Sequence, residues 1–128
     1  MNKTAPASGY TAHLADQASD RAYFFAFAPQ FQLAFGYIWR PADFPWLGIW
    51  EENCSRQSSP WDGQTVTRGM EFGVSPFPET RREMVDRRRV LDTPTYKWLA
   101  SRGRLEVEFW ITSQITDTIP ESLNWPEV

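Results

Sequence analysis

Apolar side chains that recur at every second position constrain this chain more than any other feature. Residues 31–39 place five large apolar side chains on one face of an extended chain: Phe31, Leu33, Phe35, Tyr37 and Trp39. Residues 105–111 repeat the pattern after a turn at residues 101–103. A period of two is typical of a β-strand with one buried face. We therefore predict a strand at both places.

A hairpin is predicted where two apolar runs follow each other closely. Residues 21–28 are apolar on both faces, and Pro29 and Gln30 remain to make a tight reversal before the strand at residues 31–39. The remaining apolar runs predict strands at residues 9–14, 46–52, 66–74 and 96–100.

Helix signals are weak, because ten prolines spread from Pro6 to Pro126 interrupt most of the chain. Residues 79–90 are the exception. Their Glu/Arg pairs, three and four residues apart, fit a short helix after Pro78. Ordinary loop lengths favour a solvated, charged connection instead, and we expect the connection.

These patterns predict an all-β fold with little helix, built as an antiparallel β-sandwich. A length of 128 residues is that of one domain, and neither an internal repeat nor a linker divides it. We therefore expect a single domain over residues 1–128. The tail, residues 116–128, carries two prolines and is predicted to be an irregular segment packed on the surface.

Composition and charge disfavour several classes of function. A net charge of −3 gives no general attraction to nucleic acid or to anionic lipid. The lone Cys54 cannot form an intrachain disulfide, and His13 is the only histidine, so a structural zinc site is not expected. The first residues do not resemble a signal peptide and no run is long enough to span a membrane, so we expect a cytoplasmic protein.

Residues 66–78 carry the most informative motif. In a strand, Glu71 lies on the same face as Gly69 and Gly73, and glycine often marks a place where a ligand comes close. A carboxylate in such a place suits a general base that accepts a hydroxyl proton. The alternative is a buried ion pair with an arginine such as Arg68 or Arg81.

A second concentration of candidates lies in residues 39–63, where aromatic rings stand beside acids, amides and arginines. Sugars are bound by such mixtures, because C–H faces stack on rings while hydroxyls bond to planar polar groups. The alternative is that most of these tryptophans are core residues. The candidate sugar-binding residues are Trp39, Trp46, Trp50, Glu51, Trp61 and Arg68.

Other polar residues are weaker candidates. Alternation places one of Glu51 and Glu52 inward and the other outward, without saying which. His13 could act as an acid, although a lone histidine near a terminus is more often exposed. Cys54 has no histidine nearby in the sequence to activate it. The run of residues 87–89 is either a partner for a phosphorylated sugar or a solvated face.

Residues 68–79, with the sequence RGMEFGVSPFPE, resemble the late segment of the galactose mutarotase-like, or aldose 1-epimerase, family. The resemblance extends over residues 9–111, where a strand pair, a loop ending in PWDG, the glutamate strand and the closing strand LEVEFWI follow in order. It implies that the chain corresponds to the C-terminal part of a larger β-supersandwich. In that family the catalytic histidines and a sugar-binding arginine come from a part of the chain that would precede Met1.

The resemblance also implies an activity, the interconversion of sugar anomers without a cofactor. Glu71 matches the general base that takes the proton of the anomeric hydroxyl while a histidine protonates the ring oxygen. His13 does not lie in a matching motif. The expected ligand is a monosaccharide or a sugar phosphate. Because half of a sandwich leaves an apolar face uncovered, we also expect a homodimer or higher oligomer.

Three classes of function stay open from the sequence. The first is an aldose 1-epimerase-like isomerase, or an inactive relative of one, with Glu71 as its base. The second is a carbohydrate-binding β-module without chemistry. The third is a structural or interaction domain whose aromatic residues all lie in the core.

Overall fold

The computed structural model describes residues 5–120, and most of its regular structure is β-strand. The strands are Ala7–Leu14 (β1), Ala22–Ala28 (β2), Leu33–Trp39 (β3), Trp46–Asn53 (β4), Val66–Gly73 (β5), Arg89–Val90 (β6), Thr93–Pro94 (β7) and Phe109–Ile115 (β8). One α-helix, Arg81–Arg87 (α1), and a 3-10 turn, Pro29–Phe31, are also present.

The strands form antiparallel sheets, two with three strands and one with two. The first has the order β1-β4-β5, the second β2-β3-β8, and β6 pairs with β7. The prediction of an all-β, antiparallel fold with little helix is therefore confirmed. The sandwich and the mutarotase-like supersandwich stay predictions.

The hairpin predicted from the apolar runs is formed by β2 and β3, which pair along their whole length. The strand predicted at residues 31–39 begins two residues late, because Pro29–Phe31 form the 3-10 turn that joins the two strands and Phe31 is exposed. A hydrogen bond from the Gln32 amide to the Pro29 carbonyl at 3.1 Å closes this turn. Gln32 itself adopts a left-handed conformation with φ of 51°. The strands expected at residues 9–14, 46–52 and 66–74 are present as β1, β4 and β5.

Three expectations about the second half of the chain are wrong. The last strand is β8, four residues later than expected, because apolar residues on the same face extend to Ile115 with Ser113 between them, and pairing with β3 selects the later stretch. Residues 96–100 form no strand. Residues 81–87 form a helix, because the Thr80 hydroxyl accepts from the Glu83 amide while the Glu83 carboxylate accepts from the Thr80 amide.

An aromatic cluster joins the two larger sheets. The ring of Phe72 on β5 stacks on Trp39 of β3, with centroids 4.9 Å apart and an interplanar angle of 11°. It also contacts Tyr37, Phe44 and Phe109 at 5.6, 5.2 and 5.4 Å. The face of the β1-β4-β5 sheet that carries Phe72 is called the inner face below, and the opposite face is called the outer face.

Residues 116–120 contain neither helix nor strand, as expected of the first part of the tail. The rest of the tail prediction, residues 121–128, lies outside the described residues. Within residues 5–120, no helix is both long and apolar enough to cross a membrane.

Candidate functional site

The register of the β1-β4-β5 sheet decides which side chains share the outer face with Glu71. Gly48 on β4 pairs with Glu71, and Trp50 pairs with Gly69 on β5 and with Tyr10 on β1. Residues that pair directly across strands project to the same face. Tyr10, Trp50 and Glu71 therefore lie together on the outer face.

Two glycines form the floor under these side chains. A Cβ at Gly48 would lie 2.0 Å from the Tyr10 hydroxyl oxygen, so the end of the tyrosine ring occupies the space above Gly48. A Cβ at Gly69 would lie 3.4 Å from both the Glu71 Oε1 and the ring of Trp50. The Glu71 carboxylate thus lies over Gly69 and beside Trp50, in agreement with the expectation that glycine clears this face.

A cavity of about 430 Å³ opens on the outer face. Its lining residues are Ser8, Gly9, Tyr10, Trp50, Arg56, Trp61, Glu71 and Pro78. Sites for small molecules commonly have volumes of roughly 300–1,000 Å³ and combine apolar walls with a few polar groups. The cavity has that size and composition.

Two tryptophans and an arginine form one wall of the cavity. The rings of Trp50 and Trp61 meet edge to face, with centroids 5.2 Å apart and an interplanar angle of 70°. The guanidinium carbon of Arg56 lies 5.0 Å from the Trp50 centroid and 5.5 Å from that of Trp61. Cation–π contacts of this kind hold a planar cation against the rings. The wall is therefore aromatic with a positive charge beside it.

Glu52 holds this wall in place from below. Its side chain is 0 % exposed, and its Oε1 accepts hydrogen bonds from the amides of Ser55 at 2.6 Å and Arg56 at 3.0 Å. Its Oε2 lies 3.4 Å from the Arg56 Nε. Burial raises the pKa of Glu52, but the hydrogen bonds from Arg56, Ser55 and Ser8 outweigh it and leave the pKa below its usual value.

The loop of residues 54–65 carries Trp61 to the cavity and is closed by backbone hydrogen bonds. The Cys54 amide donates to the Thr65 carbonyl at 2.8 Å, and the Gly63 amide donates to the Arg56 carbonyl at 2.8 Å. The Trp61 amide donates to the Ser58 carbonyl at 2.9 Å. These bonds, together with those to Glu52, define the position of the indole ring.

Glu71 is exposed and is not part of an ion pair among residues 5–120. Arg68 pairs instead with Glu51, which lies directly across from it on β4. This pair projects from the inner face and is exposed to solvent. The alternative in which Arg68 neutralises a buried Glu71 is therefore wrong, and the structure does not bring the candidates Glu51 and Arg68 to the cavity.

Trp39 and Trp46 are core residues. They are 0 % and 2 % exposed, so neither ring offers a free face to a ligand. The Trp39 indole N–H donates to the Phe44 carbonyl at 2.8 Å, and its ring stacks on Phe72. Of the four tryptophans proposed for a stacking surface, the structure brings only Trp50 and Trp61 together, so Trp39 and Trp46 are left out of the site.

His13 cannot act on the same ligand as Glu71 within one chain. It pairs with Leu47, which pairs in turn with Phe72, so the histidine side chain belongs to the inner face. Its Nε2 lies 3.0 Å from the Thr11 Oγ1. The sheet itself separates it from the cavity.

Five of the eight lining residues were not among the sequence candidates: Ser8, Gly9, Tyr10, Arg56 and Pro78. Burial raises the pKa of the Tyr10 phenol, and the negative charge of Glu71 raises it further. The sequence signal that could have indicated Tyr10 is Gly48, a glycine in the middle of a strand otherwise rich in large side chains. Nothing in the sequence pointed to Arg56 in particular.

No family model, curated protein or solved structure matches this chain. The case for a function therefore rests on the cavity itself. Within the described part of the chain, no group of three or more His, Cys, Asp and Glu side chains is arranged to hold a metal ion.

Proposed function

We propose that the cavity on the outer face binds a carbohydrate, either a free monosaccharide or a sugar phosphate. The observation that carries the proposal is the meeting of the Trp50 and Trp61 rings beside the exposed Glu71 carboxylate. A sugar ring can lay its C–H face on one indole while its hydroxyls donate to the carboxylate. Arg56, which is half exposed, supplies a cation for a phosphate group.

The first test is the binding of glucose, galactose and glucose 6-phosphate, followed by NMR of the tryptophan indole N–H groups. We expect the signals of Trp50 and Trp61 to shift and that of Trp98 to stay in place. Trp61→Ala should weaken binding roughly tenfold, which corresponds to about 1.4 kcal/mol. Trp98→Ala is the matched control, because that ring is 81 % exposed and does not line the cavity.

Equal weakening by Trp61→Ala and Trp98→Ala would contradict the proposed site. A shift confined to Trp98, or no shift with any of the three sugars, would favour the third class of function, in which the domain is structural. Stronger binding of glucose 6-phosphate than glucose, lost in Arg56→Gln, would identify the phosphorylated sugar as the ligand class.

A second candidate is aldose 1-epimerase-like catalysis in the same cavity. It is favoured by the position of Glu71, a carboxylate that faces the cavity and has no ion-pair partner among the described residues. This is the role that the resemblance of residues 68–79 implies for Glu71. Polarimetry of freshly dissolved α-glucose and α-galactose tests it: Glu71→Gln should abolish acceleration while binding is roughly retained.

Self-association is part of the proposal. Strand β8 is an edge of its sheet and carries three exposed apolar side chains on one face: Phe109 at 47 %, Ile111 at 60 % and Ile115 at 85 %. An exposed edge of this kind favours pairing with another chain. We expect a homodimer or higher oligomer by light scattering at micromolar concentration, and a monomer would contradict it.

A further inference from the structure

The position of the Tyr10 hydroxyl relative to Glu71 has a chemical consequence. The hydroxyl lies directly over Gly48, and Gly48 is the residue that pairs with Glu71 across the strands. Side chains of directly paired residues are separated by about 4.5–5.5 Å at their Cβ atoms. The phenol over Gly48 and the carboxylate over Gly69 therefore line the same cavity, and they are close enough for the charge of Glu71 to raise the pKa of Tyr10.

The two groups also differ in what they can do with a proton. The phenol of Tyr10 carries a proton at neutral pH, as any tyrosine does, and burial and the charge of Glu71 raise its pKa further above the ordinary value of 10.0. The phenol can therefore donate a proton and the carboxylate can accept one. Neighbouring groups with opposite roles are the requirement for paired acid and base catalysis.

We propose that Tyr10 is the proton donor that acts together with Glu71 on an aldose bound in the cavity. The inference rests on the proposed carbohydrate site. It supplies a proton donor on the same face as Glu71, whereas His13 lies across the sheet from Glu71. The ring oxygen and the anomeric oxygen of an aldose are both bonded to C1, so two neighbouring groups can reach both.

The step is balanced without any further reactant. Glu71 takes the proton of the anomeric hydroxyl, the C1–O1 bond becomes a carbonyl, and the bond between C1 and the ring oxygen breaks. Tyr10 gives its proton to the departing ring oxygen, which becomes a hydroxyl. After rotation about the C1–C2 bond, the hydroxyl attacks the other face of C1, its proton returns to Tyr10, and Glu71 returns its proton to O1.

Tyr10→Phe is the first variant, because it removes only the hydroxyl and leaves the ring over Gly48. We expect the protein-catalysed rate of anomer exchange, measured by polarimetry, to fall roughly 100-fold or more, as for the loss of a general acid. Sugar binding, measured by the indole NMR shifts, should change by less than about threefold.

Gly48→Ala is a second variant that acts on the same hydroxyl without altering Tyr10. The new Cβ would lie 2.0 Å from the hydroxyl oxygen, so the end of the tyrosine ring must move. We expect a loss of rate comparable with that of Tyr10→Phe. Gly73→Ala is the matched control on the same face, since its Cβ would meet nothing closer than 3.9 Å, and its rate should be unchanged.

The outcomes separate this inference from the proposed carbohydrate site. Wild-type protein that binds sugar without accelerating anomer exchange would overturn the role of Tyr10 and leave the binding site standing. Wild-type catalysis that survives in Tyr10→Phe would overturn the role of Tyr10 alone. Absence of sugar binding would overturn both, whereas catalysis lost in Tyr10→Phe and Gly48→Ala but kept in Gly73→Ala supports the inference.

Discussion

The two faces of the β1-β4-β5 sheet are built from the same strands and have opposite properties. The inner face carries Leu47, Met70 and Phe72, and the last of these packs against the β2-β3-β8 sheet. The outer face carries the buried Trp46 at one end, and beyond it alternates glycines with Trp50 and Glu71 and leaves a cavity. Large side chains on the inner face stabilise the fold. On the outer face, the absence of side chains at Gly48 and Gly69 makes room for a ligand.

Two adjacent glutamates illustrate the same difference. Glu51 projects from the inner face at the end of the sheet, where it is exposed and pairs with Arg68. Glu52 projects from the outer face, where it is buried under the loop that carries Trp61. One carboxylate is therefore a solvated partner, and the other organises the wall of the cavity.

Among substitutions that test the difference between the two faces, the largest loss of stability is expected on the inner face. Phe72→Ala should lower the free energy of unfolding by about 3–5 kcal/mol, because it removes the ring that contacts Trp39 and Phe109 between the sheets. Urea unfolding measures it. Phe31→Ala is the control, since that ring is 73 % exposed, and its effect should stay within about 0.5 kcal/mol. Equal losses in both variants would contradict the assigned core.

An intermediate effect is expected from the buried carboxylate. Because the folded pKa of Glu52 lies below its unfolded pKa, the stabilisation by this carboxylate is complete above the unfolded pKa and is lost as pH falls through the folded pKa. Glu52→Gln should therefore lower the free energy of unfolding at neutral pH. It should also make the free energy of unfolding fall less steeply as the pH is lowered. Urea unfolding from pH 7 to pH 2 measures both changes.

Glu51→Gln is the matched control for Glu52→Gln. It removes the same charge one residue away, from an exposed surface pair, and surface pairs contribute about 0–1 kcal/mol. The fall in the free energy of unfolding at low pH should be the same in Glu51→Gln as in the wild type. If the two variants changed this fall equally, the distinction between the buried and the exposed glutamate would be lost.

The smallest effect on stability is expected at the proposed reacting group. Glu71 is exposed and has no ion-pair partner among residues 5–120, so Glu71→Ala should change the free energy of unfolding by no more than about 0.5 kcal/mol. Thermal and urea unfolding measure it. A loss comparable with that of Phe72→Ala would identify Glu71 as a structural residue and would remove it from the proposed site.

Most of the strands could be predicted from the sequence, because a period of two in apolar residues is a local signal. It identified β1 to β5 and the hairpin of β2 and β3. The same signal did not define the ends of the last strand, since Ile111 and Ile115 lie on one face with Ser113 between them and only pairing with β3 selects residues 109–115. The helix at residues 81–87 depends on a capping box between Thr80 and Glu83, and the sequence alone does not show that its two reciprocal bonds form.

The sequence by itself determined the all-β class, which residues of β5 share a face and the clearing of the face around Glu71, because these depend on residue type and spacing along one strand. Only the tertiary structure decided that Trp50 and Trp61 meet while Trp39 and Trp46 are buried. It also decided that Tyr10 lies beside Glu71 and that His13 does not. Each of these outcomes depends on the register between strands distant in sequence, and register is a property of paired strands that no single strand contains.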